Sequence, residues 1–309
     1  MTSQRRPPST SLSRRSLLSL VPLALACSSA PRTEPKTLDP LLVLEPRTPP
    51  PSVRLGFLPS SGERTRQSIA PLVRYLERTL GLPVEPKIAH AYDELATLVA
   101  EGQVDVGFFS PAAYAKARAT LPAVAIATAT RAGSPTYLGY VMVRADDPAS
   151  SLAALAGRKV AWVDPSSTSG YLYPRALLRS RGHDPNTFFG ESVIAGDHEK
   201  ALELLVNGEV DAAAVASGFI DEPRPSQAEL VSKLRVVAKT ARIPLDCVVV
   251  HRSFDRDFAL RLRKALFELI DDRTTSLELA RDWSIHGFVP VRLERYDEVS
   301  RLLESSATP

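Results

Sequence analysis

Four hydroxyl-bearing residues follow one another inside the segment Asp-Pro-Ser-Ser-Thr-Ser-Gly-Tyr at 164–171: Ser166, Ser167, Thr168 and Ser169. The apolar run at 159–163 predicts a buried strand before them, and the apolar periodicity after 171 predicts a helix behind them. The start of a helix leaves about four backbone N–H groups unpaired and carries partial positive charge, so it suits an anion. One hydroxyl is enough to cap a helix, whereas four could serve several oxygens of one ligand. The residues alone leave both interpretations open.

The predicted elements around this segment alternate between strands and helices. A first series has predicted strands at 53–58, 84–89, 104–109 and 124–130, with helices between them. This βαβαβ order predicts a parallel sheet with helices on both faces. A long predicted strand at 137–143 has no helix before it. A second series then follows, with predicted strands at 159–163, 192–195, 210–216, 235–239 and 246–250.

A sequence echo suggests that the two series are related. The segment Glu-Gly-Gln-Val-Asp-Val at 101–106 recurs as Asn-Gly-Glu-Val-Asp-Ala at 207–212. Each copy follows a predicted helix and begins a predicted strand, as expected for the same place in two similar α/β halves. Two accidental helix–glycine–strand junctions are the other interpretation.

Residues 1–26 have the features of a targeting signal. A basic region precedes an apolar stretch at 17–25, which is too short to span a membrane as a helix. The stretch ends in Ala-Leu-Ala-Cys, which resembles a bacterial lipobox and makes Cys27 the predicted lipidation site. Ordinary cleavage near Ala26 or Ala30 is the alternative. An arginine pair in Ser-Arg-Arg-Ser-Leu-Leu leaves export by the Tat route open beside the Sec route.

The segment that follows the signal is predicted to be a tether. Residues 27–52 are rich in proline, serine, threonine and arginine, which is typical of an extended linker, although the apolar run at 41–44 interrupts it. Cys247 is the only cysteine besides Cys27 and lies in an apolar run, so we expect a buried strand residue. The sequence predicts no disulfide and no metal site.

The net charge of +3 comes entirely from the signal segment. Four of the 38 Lys and Arg residues lie in the first 26 residues, where there is no acid, which leaves 34 basic against 35 acidic residues. A nearly neutral chain argues against nucleic acid as a partner, because that partner requires a clustered basic face.

Several of these motifs together resemble one known family. The Phe-Leu-Pro at 57–59, the Gly-x-Val-Asp-Val-x-Phe at 102–108 and above all the hydroxyl segment are similar to those of phosphate/phosphite/phosphonate-binding proteins of ABC importers. The Ala-Gly-Asp-His at 195–198 resembles that family's Gly-Ser-His-Asp element, with aspartate where the family has serine. The resemblance spans about 53–270. It implies a type II periplasmic binding protein fold, an α/β fold with two lobes that close on a ligand in the cleft between them.

The resemblance also implies how the chain divides. Lobe one would be 53–142 plus 241–309, and lobe two would be 143–240, with hinge strands near 137–145 and 236–243. In this arrangement the carboxyl ends of strands and the N-termini of helices face the cleft. The predicted ligand-binding residues are Ser166, Ser167, Thr168 and Ser169 from lobe two, Ser110 and Ser60 from lobe one, and Tyr92, His198 and Asp211.

Three of these residues have a second interpretation. Tyr92 and His198 could each be a surface residue at the start of a helix instead of a donor to the ligand. Asp211 could accept a proton from a monoprotonated phosphate or phosphonate or pair with an amine, but a structural role at a strand end is the favoured interpretation.

The function predicted from the resemblance is that of an extracytoplasmic solute-binding lipoprotein. It would capture phosphate, phosphite or a small phosphonate and deliver it to an ABC permease, as a monomer held by a lipid anchor at the periplasmic face of a bacterial membrane. The alternative function is that of a ligand-sensing module in a signalling system. A hydrolase on the same scaffold is a third interpretation. No Gly-x-Ser-x-Gly, His-Glu-x-x-His or P-loop motif is present, so we predict no enzyme and no cofactor.

Overall fold

The computed structural model describes residues 39–307 except 49, 59–61 and 92. The predicted signal segment, Cys27, Ser60 and Tyr92 therefore lie outside the described residues. The strands of the described part are β1 (Val53–Phe57), β2 (Val84–Ile88), β3 (Val106–Phe109), β4 (Ala123–Thr130), β5 (Thr136–Tyr137), β6 (Gly139–Arg144), β7 (Lys159–Trp162), β8 (Glu191–Ile194), β9 (Ala212–Ala216), β10 (Leu234–Lys239), β11 (Ile243–Pro244), β12 (Cys247–His251) and β13 (Gly287–Val289).

Helices connect most of these strands, as the alternating pattern predicts. They are α1 (Gly62–Leu80), α2 (Glu94–Ala100), α3 (Pro111–Ala117), α4 (Tyr173–Ser180), α5 (His198–Val206), α6 (Gly218–Asp221), α7 (Ala228–Ser232), α8 (Arg256–Glu268), α9 (Arg273–Trp283) and α10 (Glu294–Ala307). Short 3-10 turns lie at Pro40–Val43, Leu152–Leu155, Pro225–Gln227 and Leu269–Asp271. None of the helices among the described residues is long and apolar enough to cross a membrane.

The strands form two main sheets, one for each lobe. The first has the order β13-β4-β12-β3-β1-β2 and the second the order β10-β6-β9-β7-β8. Strands β1, β2 and β3 pair in parallel, as expected for the first series. Strand β12 returns late in the chain and pairs antiparallel with both β3 and β4. The predicted purely parallel sheet is therefore wrong at this position, because a distant strand separates β3 from β4.

The predicted long strand at 137–143 is divided at Leu138. Strand β5 pairs with β11 in a two-stranded ladder, whereas β6 joins the second sheet between β9 and β10. A Cβ atom at Gly139 would lie 2.8 Å from the carbonyl oxygen of Ser169, so glycine permits the close approach at this division. The limits of the two lobes stay a prediction. Because β6 pairs with β9 of lobe two from residue 139 onward, we propose that the first segment of lobe one ends at 138 and not at 142.

Residues 39–47, which lie within the predicted tether, pack on the folded body. Leu41 and Leu44 are almost fully buried in the core of the first lobe. Asp39 caps the first 3-10 turn and accepts two hydrogen bonds of 2.7 Å from the guanidinium of Arg263. Asp255 accepts a hydrogen bond from the backbone N–H of Arg47. The tether prediction is therefore wrong for this part, since an apolar pair and two carboxylates hold it in place.

Candidate functional site

The hydroxyl segment forms a tightly hydrogen-bonded turn directly after strand β7. Asp164 Oδ1 accepts the backbone N–H of Ser166 at 2.7 Å, and Ser167 Oγ caps the following helical turn by accepting the N–H of Gly170 at 3.1 Å. That turn, Thr168–Leu172, is π-helical and runs into α4. A Cβ atom at Gly170 would lie 2.4 Å from Val163 Cγ2, so the motif requires glycine there. The predicted strand–turn–helix is confirmed, with a π-helical first turn of the kind often found at functional sites.

The hydroxyl residues have different partners within this turn. Thr168 Oγ1 accepts the backbone N–H of Ala112 at 2.8 Å, and this bond joins the second lobe to helix α3 of the first. Burial raises the pKa of Tyr137, which precedes the division at Leu138, and the nearby hydroxyls of Ser169 and Thr168 oppose that shift. Ser166 is only half-buried and does not line the cavity described next. The turn therefore presents Ser167, Thr168 and Ser169 to the cleft, and not Ser166.

A cavity of about 160 Å³ lies between the lobes and is lined by residues of both. The first lobe contributes Ser110, which also caps α3 by accepting the N–H of Ala113. The second lobe contributes Ser167, Thr168 and Ser169 of the turn, and His198 at the start of α5. These five predicted residues come together around one space although they come from three separate parts of the sequence, at 110, 167–169 and 198.

His198 is held as a neutral ring with one nitrogen available. Its Nδ1 accepts the backbone N–H of Ala216 at 3.2 Å, and the ring stacks on Phe219 with centroids 4.9 Å apart. Because a backbone N–H always donates, Nδ1 carries no proton and the neutral ring bears its proton on Nε2. Burial, helped by the positive charge of Arg131, lowers the pKa of His198 to about 3. His198 can therefore donate one hydrogen bond into the cleft without carrying charge.

Arg131 supplies a positive charge that the sequence reasoning missed. It follows strand β4 and lines the cavity. Its Nε donates to the carbonyl oxygen of Ser284 at 3.0 Å, and its Nη1 is buried with no hydrogen-bond partner among the described residues. A buried unsatisfied donor is costly, so its presence beside a cavity indicates a place for an acceptor. Its position at the end of a strand that faces the cleft is the signal that could have identified it.

Asp246 is the second residue that the sequence reasoning missed. It lies just before β12 and lines the cavity with Arg131. Burial raises the pKa of its carboxyl to about 6, and the charge of Arg131 opposes that shift. The cavity lining therefore includes two cationic side chains, of Arg131 and Arg224, and two acidic ones, of Asp246 and Glu222, beside the neutral hydroxyl and imidazole donors.

Asp211 lies away from the cavity, so its prediction as a ligand-binding residue is wrong. Its Oδ2 accepts the backbone N–H of Lys159 at 3.0 Å, and its Oδ1 lies 3.9 Å from Nη2 of Arg144. It precedes β9, whose other end, at Ala216, lines the cavity. Five residues of strand span about 16 Å, which puts Asp211 out of reach of a ligand there.

The sequence echo has a structural counterpart in these aspartates. Asp105 Oδ2 accepts the backbone N–H of Arg54 in the first lobe, just as Asp211 accepts that of Lys159 in the second. The backbone N–H of each aspartate in turn donates to the carbonyl oxygen of the same partner residue. The two Gly-x-Val-Asp segments therefore join equivalent strand pairs, and the accidental interpretation no longer holds.

The described residues contain no group of three or more histidine, cysteine and acidic side chains that could hold a metal ion. Ser60 and Tyr92 lie outside the described residues, so both stay predictions.

Residues 55–296 match a family model that is described as "ABC transporter, phosphonate, periplasmic substrate-binding protein". The chain belongs to this family. The resemblance predicted from the hydroxyl segment and its neighbouring motifs is confirmed, and so is the two-lobe α/β fold. Members of the family are the extracytoplasmic substrate-binding components of ABC transporters.

Individual relatives agree with the family assignment. The phosphate-import protein PhnD of Mycolicibacterium smegmatis is 29% identical over 234 residues, which cover 70% of this chain and 70% of that protein. The phosphonates-binding periplasmic protein of Escherichia coli is 26% identical over 194 residues, or 61% of this chain and 57% of that protein, less than two thirds of its length. A binding protein component of an ABC phosphonate transporter from Pseudomonas aeruginosa has a TM-score of 0.74 at 21% identity, over 82% of this chain and 85% of its own. That last likeness shows the fold.

Proposed function

We propose that this protein captures phosphate, phosphite or a small phosphonate in the cleft and delivers it to an ABC permease. The observation that carries the proposal is the buried Nη1 of Arg131, which has no partner among the described residues and lies at a cavity between the lobes. An oxyanion would satisfy this donor, and the family and its named relatives support a phosphorus oxyanion.

The residues around the cavity would have different roles in binding the ligand. Arg131 would compensate the negative charge, and Ser169, Thr168 and the Nε2–H of His198 would each donate to a separate oxygen. Hydrogen bonds to charged groups contribute roughly 1.5–3 kcal/mol each, so several together support micromolar or tighter binding after the cost of ordering the cleft. Ser110 and the N–H groups of the turn add donors at the edge. No bond is made or broken in this mechanism, and we propose no enzymatic activity.

The remaining parts of the predicted function belong to the same proposal. Lipidation at Cys27 would anchor the protein to a bacterial membrane after export by the Sec or Tat route, and the folded body would meet the permease as a monomer. Palmitate labelling of the expressed protein, compared with a Cys27→Ser variant, tests the anchor. Label on the variant would remove the proposal of a lipoprotein.

Calorimetry of the full chain tests the binding function. We expect heat from at least one of phosphate, phosphite and methylphosphonate, and a tenfold or larger loss of affinity in Ser169→Ala, which removes one donor to a charged ligand. Thr120→Ala is the matched control, because Thr120 is exposed and bonds only locally to Ala117. Absence of heat from all three phosphorus oxyanions would overturn the proposed function.

A further inference from the structure

The side chain of Tyr173, the first residue of α4 in the second lobe, packs against the first lobe. Tyr173 and its neighbour Leu172 are almost fully buried. They form one apolar cluster with four buried residues of the first lobe, which are Ala112 and Ala115 of α3, Ile243 of β11 and Val299 of α10. These six residues do not line the cavity of about 160 Å³, so the cluster is a contact between the lobes that lies beside the predicted binding site.

Each side of this cluster is fixed to its own lobe. Helix α10 is held to the first lobe by Tyr296, whose hydroxyl donates to the carbonyl oxygen of Leu245 at 2.8 Å. Helix α4 is held to the second lobe by Leu178, which is buried in the core under the second sheet. The hydrogen bond from the N–H of Ala112 to Thr168 Oγ1 joins the same two parts of the molecule. The cluster therefore depends on how the two lobes are placed against each other.

The hydroxyl group of Tyr173 is buried in this contact and has no hydrogen-bond partner within the described part of the chain. Other buried tyrosines differ, since Tyr75 donates to the carbonyl oxygen of Ala265 and Tyr296 donates to that of Leu245. A hydroxyl group that leaves water without gaining a partner is costly, whereas burial of the aromatic ring is favourable. The ring of Tyr173 therefore stabilises the contact between the lobes, and its hydroxyl group destabilises it.

We propose that Tyr173 sets the equilibrium between open and closed lobes, and through it the affinity for every ligand, without contacting the ligand. Opening of the cleft separates α4 from α3 and α10 and lets water reach the hydroxyl group, which keeps the empty protein mainly open. The apparent affinity falls with the fraction of the empty protein that is closed, so a group that lowers this fraction weakens the binding of all ligands by one factor. The inference goes beyond the proposed function and rests on it only for the ligands of the test.

Calorimetry of the full chain with phosphate, phosphite and methylphosphonate tests the effect on affinity. We expect Tyr173→Phe to bind each ligand that the wild type binds more tightly, by a common factor of about five or more, because the change removes the unpaired hydroxyl group from the closed state. Tyr75→Phe is the matched control, since its hydroxyl group is buried but bonded, and both partners belong to the first lobe. It should lower the melting temperature and leave every affinity unchanged.

Small-angle X-ray scattering of the empty proteins tests the same equilibrium without a ligand. The radius of gyration of Tyr173→Phe should be smaller than that of the wild type, because the variant shifts the population towards closed lobes. The radius of Tyr75→Phe should equal that of the wild type, since this hydroxyl group does not lie between the lobes.

The outcomes separate the inference from the proposed function. If no phosphorus oxyanion binds the wild type, the proposed function fails, and the scattering comparison alone decides the inference. Equal radii of Tyr173→Phe and the wild type overturn the inference, and so do unchanged or weaker affinities of the variant. A gain for one ligand and not for the others also overturns it, because that result would make Tyr173 a contact of that ligand. In these last cases binding by the wild type leaves the proposed function standing.

Discussion

At the scale of single residues, Arg131 should decide how strongly the cleft holds an anion. Arg131→Lys keeps the charge but loses the planar set of donors, so we expect a roughly tenfold or larger loss of affinity for the phosphorus oxyanion. Calorimetry measures the loss. Arg74→Lys is the matched control, since the ion pair of Arg74 with Glu278 is exposed and remote from the cavity. Wild-type affinity in Arg131→Lys would contradict a direct role of the guanidinium.

His198 should make the protein sensitive to acid. Its pKa in the folded state lies near 3, below the usual value of 6.5, so the stability that depends on its neutral form is complete above pH 6.5 and is lost as the pH falls towards 3. We therefore expect His198→Gln to lose less melting temperature than the wild type between pH 7 and pH 4. Thermal scans across this range measure the difference, with His183→Gln as the control. Parallel curves for His198→Gln and wild type would refute it.

The hydroxyl cluster was predictable because its members are adjacent in the sequence and lie at a strand-to-helix junction. Arg131 and Asp246 were not, since each is an ordinary charged residue in a loop. They meet only because β12 pairs beside β4, a contact between residues about 120 positions apart. The prediction of Asp211 as a ligand-binding residue was wrong for the opposite reason. The motif around Asp211 is distinctive, but its aspartate accepts a hydrogen bond from the neighbouring strand and has a structural role.

At the scale of elements, the short helix α6 should position the arginine. A Cβ atom at Gly218 would lie 2.3 Å from Nη1 and Cζ of Arg131. Gly218→Ala should therefore displace the guanidinium, whose flexible side chain can move, and weaken ligand binding about tenfold with little change in melting temperature. In the control Gly287→Ala the nearest atom would lie 3.5 Å away, an ordinary contact, so its affinity should not change. Equal affinities in the two variants would contradict this role of α6.

The segment at 39–47 should stabilise the first lobe. Leu44 is 2% exposed and packs in the core, whereas Leu42, two positions away, is 60% exposed. Leu44→Ala should cost about 2–5 kcal/mol of unfolding free energy, and Leu42→Ala should stay within about 0.5 kcal/mol of the wild type. Urea unfolding measures both values. A similar small effect for both would mean that the segment does not contribute to the core.

The periodicity of the sequence predicts where the strands lie better than it predicts which strands pair with each other. Most predicted strands exist with limits shifted by one or two residues, because alternation and apolar runs are local properties. The division of 137–143 at Leu138 depends instead on the pairing of β5 with β11 and on the bond from the N–H of Gly139 to Thr240. Those contacts link residues about 100 positions apart, which no local pattern records.

At the scale of the whole molecule, the ligand should hold the two lobes together, and Trp283 should report it. Trp283 lines the cavity and packs on Phe57 and Phe108, whereas Trp162 is buried in the core of the second lobe. Closure on a ligand shifts the population towards the state in which both lobes contact it. We therefore expect a saturable change in tryptophan emission in Trp162→Phe, with the same dissociation constant as calorimetry, and none in Trp283→Phe.

The melting temperature should rise on ligand binding in both variants. A ligand that binds only the closed state stabilises the fold by about 2.7 kcal/mol at a hundredfold excess over its dissociation constant. A rise in melting temperature without any emission change in Trp162→Phe would show that the ligand binds without altering the cavity wall around Trp283.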